Sequence, residues 1–167
     1  MSCILLKKYY LDIKATATLN DADLEAFKQA VNTSIDFDAQ PIALLKRKGD
    51  VLSRIYSKLN QNAEFLAQLV SYANSTAVKQ RQFAMYSFEV LSDMHLSSEE
   101  LTSNKKDFMN IFDKALQDSE VLVKVAALKA IAAFISAIDD QETVMEFAPV
   151  LPALLDTIVT VLQVDEE

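Results

Sequence analysis

The stretch RQFAMYSFEVL at residues 81–91 returns in outline as KVAALKAIAAF at residues 124–134, 43 positions later. Both stretches place apolar residues at the three- and four-residue spacings of one helix face. Four apolar positions correspond, with Ala84, Met85, Phe88 and Leu91 preceding Ala127, Leu128, Ile131 and Phe134. The basic residue Arg81 likewise corresponds to Lys124. The chain therefore repeats a helix whose apolar face stays in register.

A second, shorter type of helix repeats with the same period. It carries an apolar pair four residues apart, which occurs as Phe65/Leu69, Phe108/Phe112 and Leu151/Leu155. Each pair lies 43 residues before the next. Two helix types that advance together with a period near 40 residues are typical of HEAT and armadillo repeats. In such solenoids each helix pair buries its apolar stripe against the next pair.

A less regular copy precedes these repeats. Phe27 lies 38 residues before Phe65, whereas Leu52 lies only 33 residues before Met85. This difference predicts a longer turn inside the first helix pair, at residues 35–40 with the sequence IDFDAQ.

The composition favours helices along the whole chain. The 167 residues include one glycine and three prolines, and 51% of them are hydrophobic. Because glycine and proline mark tight turns, their scarcity predicts long regular elements joined by short links. We predict an all-α fold, an α-α superhelix of the HEAT or armadillo type with about eight helices in antiparallel pairs.

The predicted helices form one solenoid segment over residues 1–167. An unpaired inner helix comes first, then three helix pairs and an unpaired outer helix, at residues 2–13, 21–59, 62–94, 105–138 and 142–164. Inside the pairs, breaks are expected near residues 35–40, 74–75 and 118, and polar links at 14–20 and 96–104. Asn20 or Asp21 is predicted to cap the second helix, and Pro41 suits a first turn.

Apolar residues dominate the last predicted helix. Eight of them need cover, namely Val150, Leu151, Leu154, Leu155, Ile158, Val159, Val161 and Leu162. A natural solenoid end usually carries a polar capping repeat instead. We therefore expect the chain to be an excerpt of a longer solenoid, with dimerisation over these faces as the alternative.

Charge and cysteine content narrow the class of partner. A net charge of −8 and a pI near 4.7 argue against nucleic acid and suit basic protein partners, although solubility alone also explains them. Cys3 is the only cysteine, which predicts a reducing compartment. The sequence has no signal-peptide pattern, and Lys124 and Lys129 interrupt its most apolar stretch, residues 121–138. We therefore predict no membrane insertion.

Side chains that could carry catalysis are few and isolated. His95 is the only histidine, and no spacing of cysteines or histidines suits a metal site. A single glycine excludes a glycine-rich phosphate loop. Two carboxylate pairs lie in predicted links, where solvated or capping roles are expected, Glu99/Glu100 and Asp139/Asp140. We predict a protein that is not an enzyme and uses no cofactor or metal.

Candidate partner-binding residues lie on the longer helices, away from their apolar face. With the apolar positions of residues 84–91 buried, four side chains of that helix should face outward, namely Gln82, Tyr86, Glu89 and Asp93. Lys129 lies 43 residues after Tyr86, and Arg54 and Lys58 are expected to be exposed on the preceding long helix. An exposed tyrosine beside charges suits a protein interface. A merely solvated face is the alternative for each of them.

Four stretches of the chain resemble the importin-β (karyopherin-β) nuclear transport receptors, and especially their importin-5-like branch. They are CILLKKYYLDI at the start, KGDVLSRIYSKL at residues 48–59, RQFAMYSFEVLSDM at residues 81–94 and FAPVLPALLDTI at residues 147–158. Their order and spacing match the family over roughly residues 2 to 163. Gly49 departs from the pattern because it stands where a helix former is expected, at a cost of about 1 kcal/mol, and it calls into question whether that helix is straight.

The resemblance implies an approximate place and a role for the chain. It would cover about the second to fifth repeats of a receptor with nearly twenty, shuttling between cytoplasm and nucleus. In that family the longer helices line the concave face, where GTP-bound Ran engages the first repeats and cargo engages surfaces further along. Outer helices accept Phe-Gly nucleoporin repeats in apolar grooves. A HEAT-repeat scaffold of another kind, such as a phosphatase regulatory subunit or an assembly factor, is the alternative.

Overall fold

Every helix of the repeating pattern that falls within the described residues is present. The computed structural model describes residues 19–94 and 96–164, so the helix predicted at residues 2–13 lies outside them. The described helices are α1 (Asp21–Thr33), α2 (Ile42–Lys58), α3 (Asn62–Ala73), α4 (Val78–Met94), α5 (Ser98–Ser103), α6 (Lys105–Leu116), α7 (Val121–Ala137), α8 (Gln141–Met145) and α9 (Leu151–Val164). The described part of the chain contains no strand. The all-α prediction is therefore confirmed.

The helices form two layers. We call α2, α4 and α7 the inner helices and α1, α3 and α6 the outer helices, because each pair contributes one of each kind. The inner helices pack directly against one another, most extensively α4 against α7, whereas α3 and α6 touch only lightly. Each inner helix also packs against the outer helix of its own pair. This arrangement is the stacking expected of a solenoid.

Local signals fix the helix ends where the sequence predicted them. The side chain of Asn20 caps α1 by accepting a hydrogen bond from the amide of Asp23 at 2.9 Å. At the corner between α2 and α3, Asn60 has a φ of 55°, a left-handed conformation that asparagine tolerates well. The amide of Gln61 then donates to the carbonyl of Tyr56 at 2.8 Å, as in a Schellman motif. Pro41 stands just before α2 rather than in its first turn.

Two predicted elements were wrong in detail. The link predicted at residues 96–104 contains α5, which begins with a capping box in which Ser97 and Glu100 satisfy each other's backbone amides. The single helix predicted at residues 142–164 is broken into α8, a 3₁₀ turn at Ala148–Val150, and α9. Pro149 explains the break, because in a continuous helix its ring would clash with the carbonyl of Met145, four residues earlier, where α8 ends.

Aromatic side chains form the core between the layers. Phe88, Phe108, Phe112 and Phe134 are all almost completely buried. The rings of Phe108 and Phe134 lie 4.8 Å apart, and those of Phe134 and Phe147 lie 5.0 Å apart. Such pairs add about 0.5–1.5 kcal/mol to the free energy gained from burial. The cluster joins the outer helix α6 to both inner helices α4 and α7.

Gly49 lies where the two inner helices α2 and α4 pack against each other. It is buried in the middle of α2, which is helical without a break through this position. A β-carbon at Gly49 would lie 2.7 Å from Oγ of Ser87 and 3.2 Å from the ring of Phe83, both on α4. The glycine therefore allows α2 and α4 to pack closely, which offsets its poor helix propensity.

An ion pair joins neighbouring repeats at one end of the inner helices. Nε and Nη2 of Arg81 on α4 donate to the two carboxylate oxygens of Asp118, which precedes α7, at 2.6 and 3.0 Å. Nη1 of Arg81 also donates to the carbonyls of Ser75 and Thr76. Burial would raise the pKa of Asp118, but hydrogen bonds from Arg81 and from the amide of Glu120 lower it below its usual value. This bidentate pair fixes the register of the two repeats.

Candidate functional site

A groove crosses all three inner helices on the side away from the outer helices. It has a volume of about 320 Å³, and we call it the inner groove. Its lining comes from α2, α4 and α7, and consists of Ala43, Lys46, Arg47, Asp50, Tyr86, Glu89, Val90 and Lys129. Alanine and valine form its apolar part, and charged side chains surround them. A pocket with a small apolar floor and a charged border suits a protein segment.

Lys46 and Tyr86 meet inside this groove. Nζ of Lys46 lies 3.3 Å from the centroid of the Tyr86 ring, within the range of a cation–π interaction. The two residues belong to different helices, α2 and α4, so the contact spans neighbouring repeats. It keeps the tyrosine ring against the groove wall and holds the ammonium group at a defined position.

Three of the predicted partner-binding residues are brought together. Tyr86 and Glu89 are half-buried, Lys129 is exposed, and all three line the inner groove. The other exposed candidates, Lys58 and Asp93, do not line it.

One further candidate lies away from the groove, and another is buried. Arg54 is only half-buried and does not line the groove. The prediction that Gln82 faces outward was wrong, since its side chain is buried with 5% of its surface accessible.

Both neighbouring repeats contact the turn of α4 that contains Gln82. Gly49 of α2 lies against Phe83, and Asp118 before α7 binds Arg81, so both adjacent repeats reach this turn of α4. The helix pattern assigns Gln82 to the solvent-facing side of α4, but its side chain is buried at this turn. Further along α4 the same side opens into the inner groove.

Sequence reasoning missed three charged residues of the groove, namely Lys46, Arg47 and Asp50. A signal for them exists, because KRKGD at residues 46–50 is the densest cluster of charge on any inner helix. The cluster alone does not show which of its side chains face the groove and which are buried. Lys48, in the middle of the cluster, is buried and donates to the side-chain oxygen of Gln40 at 2.9 Å.

A second groove lies on the opposite side of the solenoid, between the outer helices α3 and α6. It has a volume of about 300 Å³, and we call it the outer groove. Its lining is mainly apolar and consists of Ala63, Leu66, Ala67, Val70, Phe88, Glu100, Asn104, Asp107, Phe108 and Ile111. The groove exists because α3 and α6 touch only lightly while the inner helices beneath them pack closely.

The rim of the outer groove is acidic and ordered. Hydrogen bonds from the backbone of Ser97 and, at 3.1 Å, from the side chain of Asn62 lower the pKa of Glu100, against the opposing effect of burial. Further along α3 and α6, a second cavity of about 330 Å³ shares part of the lining. There Nζ of Lys114 donates to the side-chain oxygen of Asn74 at 2.7 Å. The space between α3 and α6 therefore continues beyond the outer groove, with more polar walls.

The residues considered for catalysis form no site in the described structure. Glu99 and Asp139 are exposed, and Asp140 caps α8 by accepting from the amide of Thr143. Cys3 and His95 lie outside the described residues. Within residues 19–94 and 96–164, no three histidine, cysteine or acidic side chains stand close enough to hold a metal ion. No helix in those ranges has the length and apolarity to cross a membrane.

A protein-family model described as "IPO5-like, TPR repeats" matches residues 43–167, about three quarters of the chain. The helix pairs in this chain recur at 43 residues, which is longer than the roughly 34 residues of a tetratricopeptide repeat. Both repeat types are built from two antiparallel helices. No curated protein and no solved structure matches the chain significantly.

Proposed function

The chain belongs to the IPO5-like, or importin-5-like, family of helical-repeat proteins, and on that premise we propose that it is a protein-binding segment of a nuclear import receptor. It binds GTP-bound Ran and cargo on the inner helices and nucleoporins on the outer helices, without catalysis. Such a receptor works in both the cytoplasm and the nucleus. Its direction of transport follows from coupling between Ran binding and cargo release.

The inner groove is the observation that supports this proposal most strongly. It places Tyr86, Glu89 and Lys129 from two neighbouring repeats on one surface. Tyrosine and charged side chains at the border of a small apolar floor are typical of protein interfaces. Arg54, Lys58 and Asp93 would extend the contact along the same helices.

Capture of the chain on immobilised Ran tests the proposal. Ran loaded with a non-hydrolysable GTP analogue should retain the chain, and Ran loaded with GDP should retain much less. Tyr86→Ala should reduce capture because it removes the aromatic wall of the groove. Lys106→Ala, an exposed lysine on the outer helix α6, is the matched control and should have no effect.

Capture that ignores the nucleotide on Ran would contradict a transport receptor. It would favour the alternative of a HEAT-repeat scaffold, for example a phosphatase regulatory subunit or an assembly factor. Absence of capture with both nucleotides would also count against the proposed function.

The outer groove supports the nucleoporin part of the proposal. A phenylalanine side chain needs an apolar slot that is partly open, and Leu66, Val70 and Ile111 provide such walls. The flanking glycine allows the peptide backbone to lie close to the exposed small residues Ala63 and Ala67.

A labelled peptide with several Phe-Gly repeats tests this part separately. Ala67→Arg would fill the groove and should weaken binding by about tenfold, or about 1.4 kcal/mol. Ala30→Arg makes the same change at an exposed position of α1 and should leave the affinity unchanged. Equal binding by both variants would remove the outer groove from the proposal.

A further inference from the structure

The inner helices carry a charge opposite to that of the whole chain. Residues 42–58 of α2 contain five lysines or arginines and one aspartate, and residues 121–137 of α7 contain two lysines and no acid. Residues 78–94 of α4 have two basic and two acidic residues. The three inner helices therefore have a net charge of +6, whereas the chain as a whole has −8.

Three of these cations converge on the inner groove. Lys46, Arg47 and Lys129 line it, and none of them forms an ion pair with another residue of the described structure. Some cations elsewhere in the fold are paired with carboxylates. Lys28 pairs with Glu25 at 2.9 Å, and Lys105 pairs with Glu146 at 2.8 Å.

The position of Lys46 is set by its contact with Tyr86. The ring lies on one side of the ammonium group at 3.3 Å, so the N–H groups on the other side remain directed away from it. An ammonium group keeps its charge and its three donors in a cation–π contact. It can therefore accept a carboxylate from the open side of the groove without giving up the ring.

We propose that the inner groove binds an acidic peptide segment of a partner protein, whose carboxylates pair with Lys46, Arg47 and Lys129. Charge complementarity carries this inference, because three cations and two carboxylates line the groove and give it a positive charge on an otherwise acidic protein, which attracts an acidic segment. The inference rests on the proposed role of the inner helices in protein binding and adds the chemistry of the partner.

Two carboxylates make a peptide a better occupant than nucleic acid. Asp50 and Glu89 also line the groove. A phosphate backbone has a charge on every nucleotide, so it would bring charges against these carboxylates as well as against the cations. An acidic peptide can place glutamate or aspartate beside the cations and neutral or apolar residues beside Asp50 and Glu89.

Fluorescence anisotropy with labelled peptides tests the inference on the full chain. The probes are decaglutamate, decalysine and a ten-nucleotide single-stranded DNA, each measured at low and at physiological salt. Decaglutamate should bind saturably and more tightly than the other two probes. Its affinity should fall as salt rises, as expected for charge pairing at a partly exposed surface.

Charge reversal identifies the surface that is responsible. Lys129→Glu should weaken decaglutamate binding several-fold, and Arg47→Glu together with Lys129→Glu should weaken it by about tenfold or more. Lys106→Glu changes the net charge as much as Lys129→Glu, at an exposed site on the outer helix α6, and should have little effect. Circular dichroism should show unchanged helicity, because all three side chains are exposed.

Three results would overturn the inference. They are tighter binding of decalysine, equal binding of the DNA, and equal losses from Lys106→Glu and Lys129→Glu. If decaglutamate does not bind but Ran is still captured according to its nucleotide, the inference alone fails. If neither binds, the proposed function fails with it.

Discussion

The inner and outer layers of this solenoid differ in how closely their helices approach. Inner helices pack so tightly that Gly49 leaves no room for a β-carbon beside Ser87. The outer helices α3 and α6 leave the outer groove between them. The difference follows from the stacking of helix pairs, because pairs that meet at one layer diverge at the other. Close packing on one side thus leaves an open groove on the opposite side.

The largest loss of stability is expected from a substitution in the aromatic core, where the two layers meet. Phe134 of α7 is completely buried and contacts the rings of Phe108, Phe112 and Phe147. Phe134→Ala should lower the free energy of unfolding by about 3–5 kcal/mol, since it opens a cavity between the layers. Urea denaturation followed by circular dichroism measures this loss.

A control on the same helix defines what would contradict that prediction. Leu122 of α7 is 62% exposed, and Leu122→Ala should change the free energy of unfolding by less than about 0.5 kcal/mol. Equal losses from the two variants would mean that the aromatic cluster does not hold the layers together.

The ion pair between repeats should have the next largest effect. Asp118→Asn removes the charge that Arg81 engages through two hydrogen bonds and should lower the free energy of unfolding by about 1–3 kcal/mol at neutral pH. The pKa of Asp118 is lowered in the folded state, so its stabilisation is present above the ordinary pKa of 3.8. It is lost as the pH falls through the lower folded-state value.

Measuring the free energy of unfolding against pH therefore separates the contribution of the Asp118 charge from that of its packing. The parent protein and Asp118→Asn should differ near neutral pH and converge in acid below about pH 3.8. A difference that persists unchanged into acid would show that the carboxylate charge contributes nothing to the joining of the repeats.

A single methyl group should disturb the inner layer. Gly49→Ala gains up to about 1 kcal/mol of helix propensity. It also forces a contact of 2.7 Å with Ser87 and of 3.2 Å with Phe83, and overpacking of this kind costs about 1–3 kcal/mol. The net expectation is a loss of about 1 kcal/mol in the free energy of unfolding.

A double-mutant cycle tests the cause of that loss. Ser87→Ala removes the oxygen nearest to the new methyl group, so Gly49→Ala should cost less in this background. If the two substitutions are additive, the close approach of α2 and α4 is not the source of the effect.

The outer layer should tolerate a much larger addition. Ala67 is exposed at the outer groove, and Ala67→Arg should change the free energy of unfolding by less than about 0.5 kcal/mol. Thermal denaturation of this variant beside Gly49→Ala gives the comparison directly. A larger loss from Ala67→Arg would mean that the two layers do not differ in packing as described.

Repetition in the sequence was sufficient to predict the helices, because each apolar face is fixed by its own residues. Phe65 and Phe108 are buried as their register indicates. Finer breaks depend on single residues whose signals are easily overlooked. The capping box at Ser97 begins α5 inside a stretch that looks like a polar link, and Pro149 divides the last helix.

The candidate site could be predicted only in part. Tyr86, Glu89 and Lys129 come together as their register suggests. Gln82 is buried in a turn of α4 that both neighbouring repeats contact, and a helix pattern contains no information on where neighbouring repeats pack. Lys46 contacts Tyr86 on the next repeat, and a contact between repeats cannot be read from the charge cluster at residues 46–50.

Hydrogen exchange of the chain with and without Ran is the most direct test of the inner helices as the partner surface. With Ran bound to a GTP analogue, slower exchange should be confined to peptides from the inner helices α2, α4 and α7. With Ran bound to GDP, exchange should be unchanged. Protection on the outer helices α3 and α6, or the same protection with either nucleotide, would contradict the account.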